Sequence, residues 1–256
     1  MPARDLDLLT HAALEGGKIA LRYWKRNPQV WDKGGSPVTA ADLAVNAYLA
    51  EQLQGARPDY GWLSEETADG PDRLTKDHCF IVDPIDGTRA FIAGEETFSI
   101  SLAVAVAGVV TAGVVYLPAL DRLYVASATS PALRDGQPIA VAGAKDESDC
   151  SVLTSKQALD PGVWPGGVPP VRRAFRPSLA YRFCLVAEGR HDGMLTLKDA
   201  WEWDIAAGAL IAARAGAVVT DRNGGPLVFN RAVPQTAGVI AAAPALHGAL
   251  MGRLRG

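Results

Sequence analysis

From Phe98 to Leu120 the chain reads FSISLAVAVAGVVTAGVVYLPAL, without one charged residue. An apolar run of this length has two destinations, the inside of a membrane or the inside of a fold. Its composition selects the second. The run is rich in valine, whose branched side chain suits strands, it is broken by Ala107-Gly108, and Pro118 punctuates its end. No Lys or Arg cluster flanks it as an interfacial anchor would. Two buried strands joined by a tight turn are expected here, and no membrane partner.

Around that hairpin the 256 residues suffice for one large domain or two intimately packed halves. Hydrophobic residues at 48% and charged residues at 21% describe an ordinary globular protein. A net charge of −3 argues against binding a nucleic acid polymer, which calls for a basic face, but leaves room for a small phosphorylated ligand. Cys79, Cys150 and Cys184 are scattered and odd in number, as expected for buried thiols in a reducing, cytoplasmic setting. The four histidines have no His or Cys neighbour at ligand spacing, so zinc is not expected. The N-terminal stretch lacks the basic and apolar regions of a secretory leader.

Periodicity organises the rest. Leu6, Leu9, Ala13, Ala20 and Trp24 predict one face of a helix from Asp5 to Trp24. Ser36-Pro37 and Thr39 signal the start of a second helix, with Asp42 in or just before its first turn. YGWLSEE reads as a strand ending in Glu65 and Glu66, HCFIVD as a buried strand ending at Asp83, and RLYVAS as a further strand of an antiparallel meander. Residues 161–170, rich in Pro and Gly, give the strongest linker signal, yet the boundary is placed earlier, near Ala142, dividing residues 1–142 from 143–256 within one unit. Helices are then expected over LAYRFCLVAEG, over WDIAAGALIAARAG as far as Gly216, and from Pro244 with Leu246, Leu250 and Leu254 aligned. No Walker-type or Gly-x-Gly-x-x-Gly loop is present.

The chemistry gathers at the ends of these elements. Asp83-Pro84-Ile85-Asp86-Gly87-Thr88 joins a buried strand to a short helix, TRAFIAG, where free backbone N–H groups can receive a phosphate oxygen. Two neighbouring carboxylates would repel that phosphate unless cations lay between them. An isolated Asp-Gly would be turn chemistry alone, with Asp83 as a cap. Here Asp42, Glu65, Glu66 and Asp204 occupy similar positions, and their convergence would demand divalent cations with all-oxygen ligands, magnesium rather than zinc. The Asp-x-Asp nucleophile of haloacid-dehalogenase-like phosphatases is not matched, because two residues separate Asp83 from Asp86.

SPVTAAD, WLSEE, DPIDGT and WDIAAG, in this order, resemble the motifs of the inositol monophosphatase superfamily of magnesium-dependent, lithium-sensitive phosphatases, and the resemblance covers nearly the whole chain. It implies an α+β fold, a layered αβαβα sandwich of two halves, and a possible homodimer. It further implies that Glu65, Asp83 and the Ile85 carbonyl hold one magnesium, that Asp83, Asp86 and Asp204 hold a second, and that Glu65 reaches a loosely bound third. Asp42 and Thr88 would orient and help deprotonate the attacking water, with Glu65 beside them, while the N–H groups of Gly87 and Thr88 receive the phosphate.

Within the superfamily, FCLVAEG at Phe183 to Gly189 is similar to the 3'(2'),5'-bisphosphate nucleotidases. Arg89-Ala90-Phe91 departs from the Thr-Asn-Phe of inositol phosphatases, Pro177 replaces a glycine, and Arg214-Ala215-Gly216-Ala217 stands where Glu-Ala-Gly-Gly is usual. Adenosine 3',5'-bisphosphate is the substrate this implies, with inositol 1-phosphate and histidinol phosphate as alternatives and a non-catalytic phosphate sensor as a different class. Its second phosphate needs a cation, for which Arg89, Arg182 and Lys198 are candidates beside Arg172, Arg173 and Arg176. Trp201 and Trp203 are expected to be buried beside Asp204 rather than to stack on a base.

Overall fold

The computed structural model describes residues 2–143 and 145–256. Helix α1 (Pro2–Tyr23) leads into a hairpin of β1 (Val30–Lys33) and β2 (Ser36–Thr39), and then α2 (Ala40–Ala56). Ser36 and Pro37 thus extend the hairpin, and only Thr39 serves as the helix cap. Strand β3 (Gly61–Ser64) and β4 (His78–Asp86) follow, then the short helix α3 (Thr88–Ile92). The uncharged stretch becomes β5 (Ser99–Val106) and β6 (Val109–Leu117), antiparallel neighbours. Ala107 and Gly108 turn the chain between them with φ of +48° and +82°, as a two-residue turn that follows strand twist requires. Strands β7 (Arg122–Ser127), β8 (Leu133–Arg134) and β9 (Gln137–Pro138) complete a seven-stranded sheet in sequence order. It is antiparallel except where β3 lies parallel to β4, a departure from the expected meander.

The remaining chain contributes β10 (Ser151–Leu153), β11 (Arg172–Ala174), α4 (Leu179–Ala187), β12 (Gly193–Thr196) and β13 (Ala200–Trp201). After these come α5 (Glu202–Arg214), β14 (Val218–Thr220), β15 (Gln235–Thr236), β16 (Val239–Ala242) and α6 (Pro244–Arg255). A second sheet has the order β11-β10-β12-β16-β14, and β13 pairs with β15 apart from it.

Alternation along the strands fixes the layers, because successive side chains point to opposite faces. Phe80, Val82, Ile100 and Leu102 pack with Leu9, Val45 and Leu49 of α1 and α2 on one face of the large sheet. Cys79, Ile81 and Ala103 turn to the other face, where α4 and α5 bring Phe183, Leu185, Ile205 and Ile211. Those two helices also meet Met194, Val239 and Ala241 of the second sheet. Its opposite face presents Val152, Leu195, Ile240 and Ala242 to Leu246 and Leu250 of α6. The order is helices, sheet, helices, sheet, helix: the expected αβαβα sandwich.

Small residues let the middle layer approach closely. A Cβ on Gly113 of β6 would lie 3.0 Å from Ala207 Cα, and one on Gly208 would lie 2.7 Å from Phe183 Cδ2. The middle core draws on both sides of residue 142. The Pro- and Gly-rich segment is packed rather than free: Trp164 is buried and donates from Nε1 to Ala158 O at 2.8 Å, and Gly166 N donates to Arg253 O at 2.9 Å. Among the described residues no helix is long and apolar enough to cross a membrane.

Candidate active site

Strand β4 carries the first carboxylate and then loses register. It pairs with β5 as far as Asp83↔Ser101 and resumes at Asp86↔Ser99, so Pro84 and Ile85 bulge from the ladder. Proline has no N–H to give a neighbouring strand, which makes the break natural here. Gly87 follows with φ of +93°, in the region that favours glycine, and a Cβ there would sit 3.4 Å from Ser178 N. The chain thereby swings into α3 with Thr88 as its first residue.

This bulge meets the end of β3 and the start of α5. Glu65, Asp83 and Asp204 each bring one carboxylate oxygen within 4.8 Å of the others. Asp83 Oδ1 accepts the Ile85 N–H at 2.9 Å, whereas its Oδ2 is buried without a hydrogen-bond partner. Burial, and then the charges of Glu65, Asp86 and Asp204, hold the Asp83 carboxyl well above the ordinary carboxylate range. Burial likewise pushes Glu65 up to about 7, reinforced by Glu66 and opposed by Lys33. Asp204 is raised well above its usual value by burial, then by Asp86 and Glu65. Acids crowded in this way hold protons or a cation. An orphaned buried oxygen within an all-oxygen donor set fits a hard divalent ion such as magnesium.

Asp86 stands slightly apart from that trio. Its Oδ2 accepts Ser178 Oγ at 2.5 Å and Ala180 N at 2.7 Å, and its Oδ1 accepts Leu179 N at 3.2 Å. The carboxylate thus caps α4 while facing the cavity, and burial raises its pKa against the pull of the Ser178 hydroxyl.

Asp42 is fixed from the other side. As the third residue of α2 it closes a capping box: Thr39 N and Thr39 Oγ1 donate to its Oδ2 at 2.9 and 2.5 Å. Its Oδ1 receives Thr88 Oγ1 at 3.2 Å, and the same hydroxyl lies 3.1 Å from the Ile85 carbonyl. Burial pushes Asp42 up to about 6, against the Thr39 hydrogen bonds. A carboxylate–hydroxyl pair results, with Asp42 held by Thr39 on one oxygen and by Thr88 on the other.

A cavity of about 490 Å³ opens over Glu65, Asp83, Asp86, Gly87, Thr88 and Asp204. The β1–β2 hairpin forms one rim with Ser36 and Pro37. Two cations tie this hairpin to the site: Arg89 Nη2 donates to Gly35 O at 2.8 Å, and Lys33 Nζ donates to the Glu65 carbonyl and, at 3.0 Å, to Glu66 Oε2. Lys33, the last residue of β1, was not among the sequence candidates.

Of the cations considered for a second phosphate, only Arg89 lines the cavity. Arg182 is buried, donates from Nε to Arg176 O at 2.6 Å and packs its guanidinium 4.5 Å from the centre of the Phe175 ring. Lys198 is exposed and does not line it. The tryptophans overturn the expectation of burial. Trp201 is 41% exposed and Trp203 half-buried, their rings stack at 4.7 Å with planes 7° apart, and both line the cavity. Phe175, 46% exposed, joins them, a lone aromatic between arginines that no sequence pattern singled out.

Comparison with known proteins points the same way. Residues 3–255 match the model of the inositol monophosphatase family. An inositol-1-monophosphatase of Mesorhizobium japonicum is 33% identical over 86% of both chains. A histidinol-phosphatase of Chlorobaculum parvum is also 33% identical over 86% of both. The 3'(2'),5'-bisphosphate nucleotidase CysQ of Escherichia coli is 32% identical over 76% of this chain and 80% of its own. The solved structure of extragenic suppressor protein suhB from Bartonella henselae superposes with a TM-score of 0.83 at 30% identity, covering 98% of each chain. A full-length family match, the shared fold and phosphatase relatives together establish that the chain belongs to the inositol monophosphatase family and is a phosphatase of phosphate monoesters.

Proposed function

We propose that the chain is a magnesium-dependent hydrolase of a small phosphorylated metabolite, with adenosine 3',5'-bisphosphate as its substrate. The observation that carries the metal reading is the partnerless Asp83 Oδ2, buried among Glu65 and Asp204. Glu65, Asp83 and the Ile85 carbonyl are assigned to one ion, and Asp83, Asp86 and Asp204 to another, with Glu65 able to reach a third. When bound, magnesium supplies Lewis-acid stabilisation of phosphoryl charge and acidifies water.

The protein's own groups do the rest. Gly87 and Thr88 turn their N–H groups to the phosphate oxygens at the start of α3, where the backbone lacks intrahelical acceptors. Water attacks phosphorus in line, a new P–O bond forms, and the bond to the leaving oxygen breaks, that oxygen taking a proton from solvent. The proton released by water passes through the Thr88 hydroxyl toward Asp42, which Thr39 holds in place. No residue is phosphorylated on this path.

The likeness of Phe183 to Gly189 to the bisphosphate nucleotidases and the CysQ relative support the choice of substrate. Arg89 is the cation assigned to its second phosphate, because it alone of the candidates faces the cavity. Lithium inhibition, a cytoplasmic location and a homodimer belong to the same reading by family likeness. The sensor alternative is disfavoured by the Asp42–Thr88 pair, which a protein that only binds does not need. Phosphate release from adenosine 3',5'-bisphosphate, inositol 1-phosphate and histidinol phosphate, compared at saturating magnesium, tests the proposal. The nucleotide is expected to give the highest kcat/KM, and a preference for either of the others would reassign the substrate.

A further inference from the structure

We infer that Trp201 and Phe175 form an aromatic wall that selects phosphate esters whose leaving group carries a planar aromatic ring. This deepens the phosphomonoesterase reading and rests on it. Trp201 is held firmly: its strand β13 pairs with β15, and the next residue donates from Glu202 N to Pro234 O at 2.9 Å. The buried Glu202 carboxylate in turn accepts Asn230 N at 2.6 Å and Arg231 N at 3.0 Å. One face of the Trp201 indole is covered by Trp203, yet 41% of the residue stays exposed beside the cavity. Phe175 has the same arrangement, backed by the Arg182 guanidinium at 4.5 Å and 46% exposed. Both rings are therefore supported from behind and open in front, three residues before Asp204 in one case and two before Pro177 in the other.

Away from the acid cluster the lining offers a polyol few hydrogen-bond partners. Beyond Glu65, Asp83, Asp86, Asp204 and the Thr88 already engaged by Asp42, the cavity offers the polar side chains of Ser36, Arg89 and Glu95. A ring of hydroxyls would lose hydration against indole and phenyl faces without recovering hydrogen bonds. A flat heteroaromatic ring gains stacking instead, at no cost in hydrogen bonds to its edges that remain in water.

The test uses two alkyl phosphates of matched leaving-group chemistry, 2-phenylethyl phosphate and 2-cyclohexylethyl phosphate, beside adenosine 3',5'-bisphosphate, at saturating magnesium. The wild-type chain should prefer phenyl to cyclohexyl. Trp201→Ala and Phe175→Leu should each lower that ratio by about tenfold, mainly through KM, the range seen when an aromatic stacking partner is removed. Trp201→Phe should retain most of it. An unchanged ratio in both truncating variants, or no phenyl preference in the wild type, overturns the inference. If no ester is hydrolysed, the hydrolytic reading fails separately. The wall is then judged by tryptophan fluorescence with adenosine 5'-monophosphate and glycerol 2-phosphate. Quenching by the nucleotide alone supports it, and equal or absent quenching overturns it.

Discussion

Asp83 carries the account at the scale of single residues. Its Asp83→Asn variant removes one charge from the oxygen cluster assigned to both ions, so kcat should fall on the order of a hundredfold or more. The same change should leave the metal-free fold as stable or more so, since it removes a carboxyl that burial and the charges of Glu65, Asp86 and Asp204 hold well above the ordinary carboxylate range. Urea unfolding in EDTA, beside the rate in magnesium, separates these effects. The pH dependence follows with a definite sign. Glu65 is lifted from 4.5 to about 7 and Asp42 from 3.8 to about 6 in the metal-free fold. An acid raised on folding contributes stability that is complete below its unfolded value and is lost as pH rises through the folded one. Metal-free protein should therefore melt at a lower temperature at pH 8 than at pH 5, and magnesium should raise the melting temperature most at pH 8. Equal midpoints at the two pH values in EDTA would contradict the placement of these carboxyls. The acidic residues were legible because they sit at element ends in recognisable motifs. Lys33, Phe175 and the open face of Trp201 were not, since a lone side chain carries no periodic signal of which wall it will join.

Among the elements, α5 shows what a motif can hide. WDIAAG announces Asp204, but its Gly208 is there for packing: Phe183, fully buried, cannot yield to a Cβ placed 2.7 Å from its ring. Gly208→Ala should destabilise the protein by about 1–3 kcal/mol through overpacking, offset in part by better helix propensity. Gly248→Ala in α6, where nothing lies within 4 Å of the added carbon, should instead stabilise by roughly 0.5–1 kcal/mol. Opposite shifts of the urea midpoint are expected, and shifts of one sign would refute the packing account. Helices α1 and α6 and the β5–β6 hairpin could be read in advance from periodicity and turn chemistry. The layer order could not, because strands covered on both faces read as continuous apolar runs and do not reveal which helix lies on which side.

At the scale of the whole molecule, residues 1–142 and 143–256 are proposed to unfold as one unit. Arg73 fastens them together. Its guanidinium is buried, pairs with Asp69 at 2.6 and 2.8 Å, and reaches across to Asn230 Oδ1 at 2.7 Å and the Arg231 carbonyl at 2.9 Å. Removing it strips four hydrogen bonds from acceptors that water can partly reach, so Arg73→Ala should cost about 1–3 kcal/mol. Far-UV circular dichroism and tryptophan fluorescence should still report one shared transition, at lower urea. Two separated transitions in the wild type would break the single-unit proposal.

The site stands on the link between the acid cluster and a divalent cation, so the most direct measurement is phosphate release from adenosine 3',5'-bisphosphate as magnesium is titrated into EDTA-stripped protein. The account predicts no release without magnesium, saturable activation with it, and loss of that activation in Asp83→Asn. Release that persists in EDTA, or full activation of the variant, would contradict it.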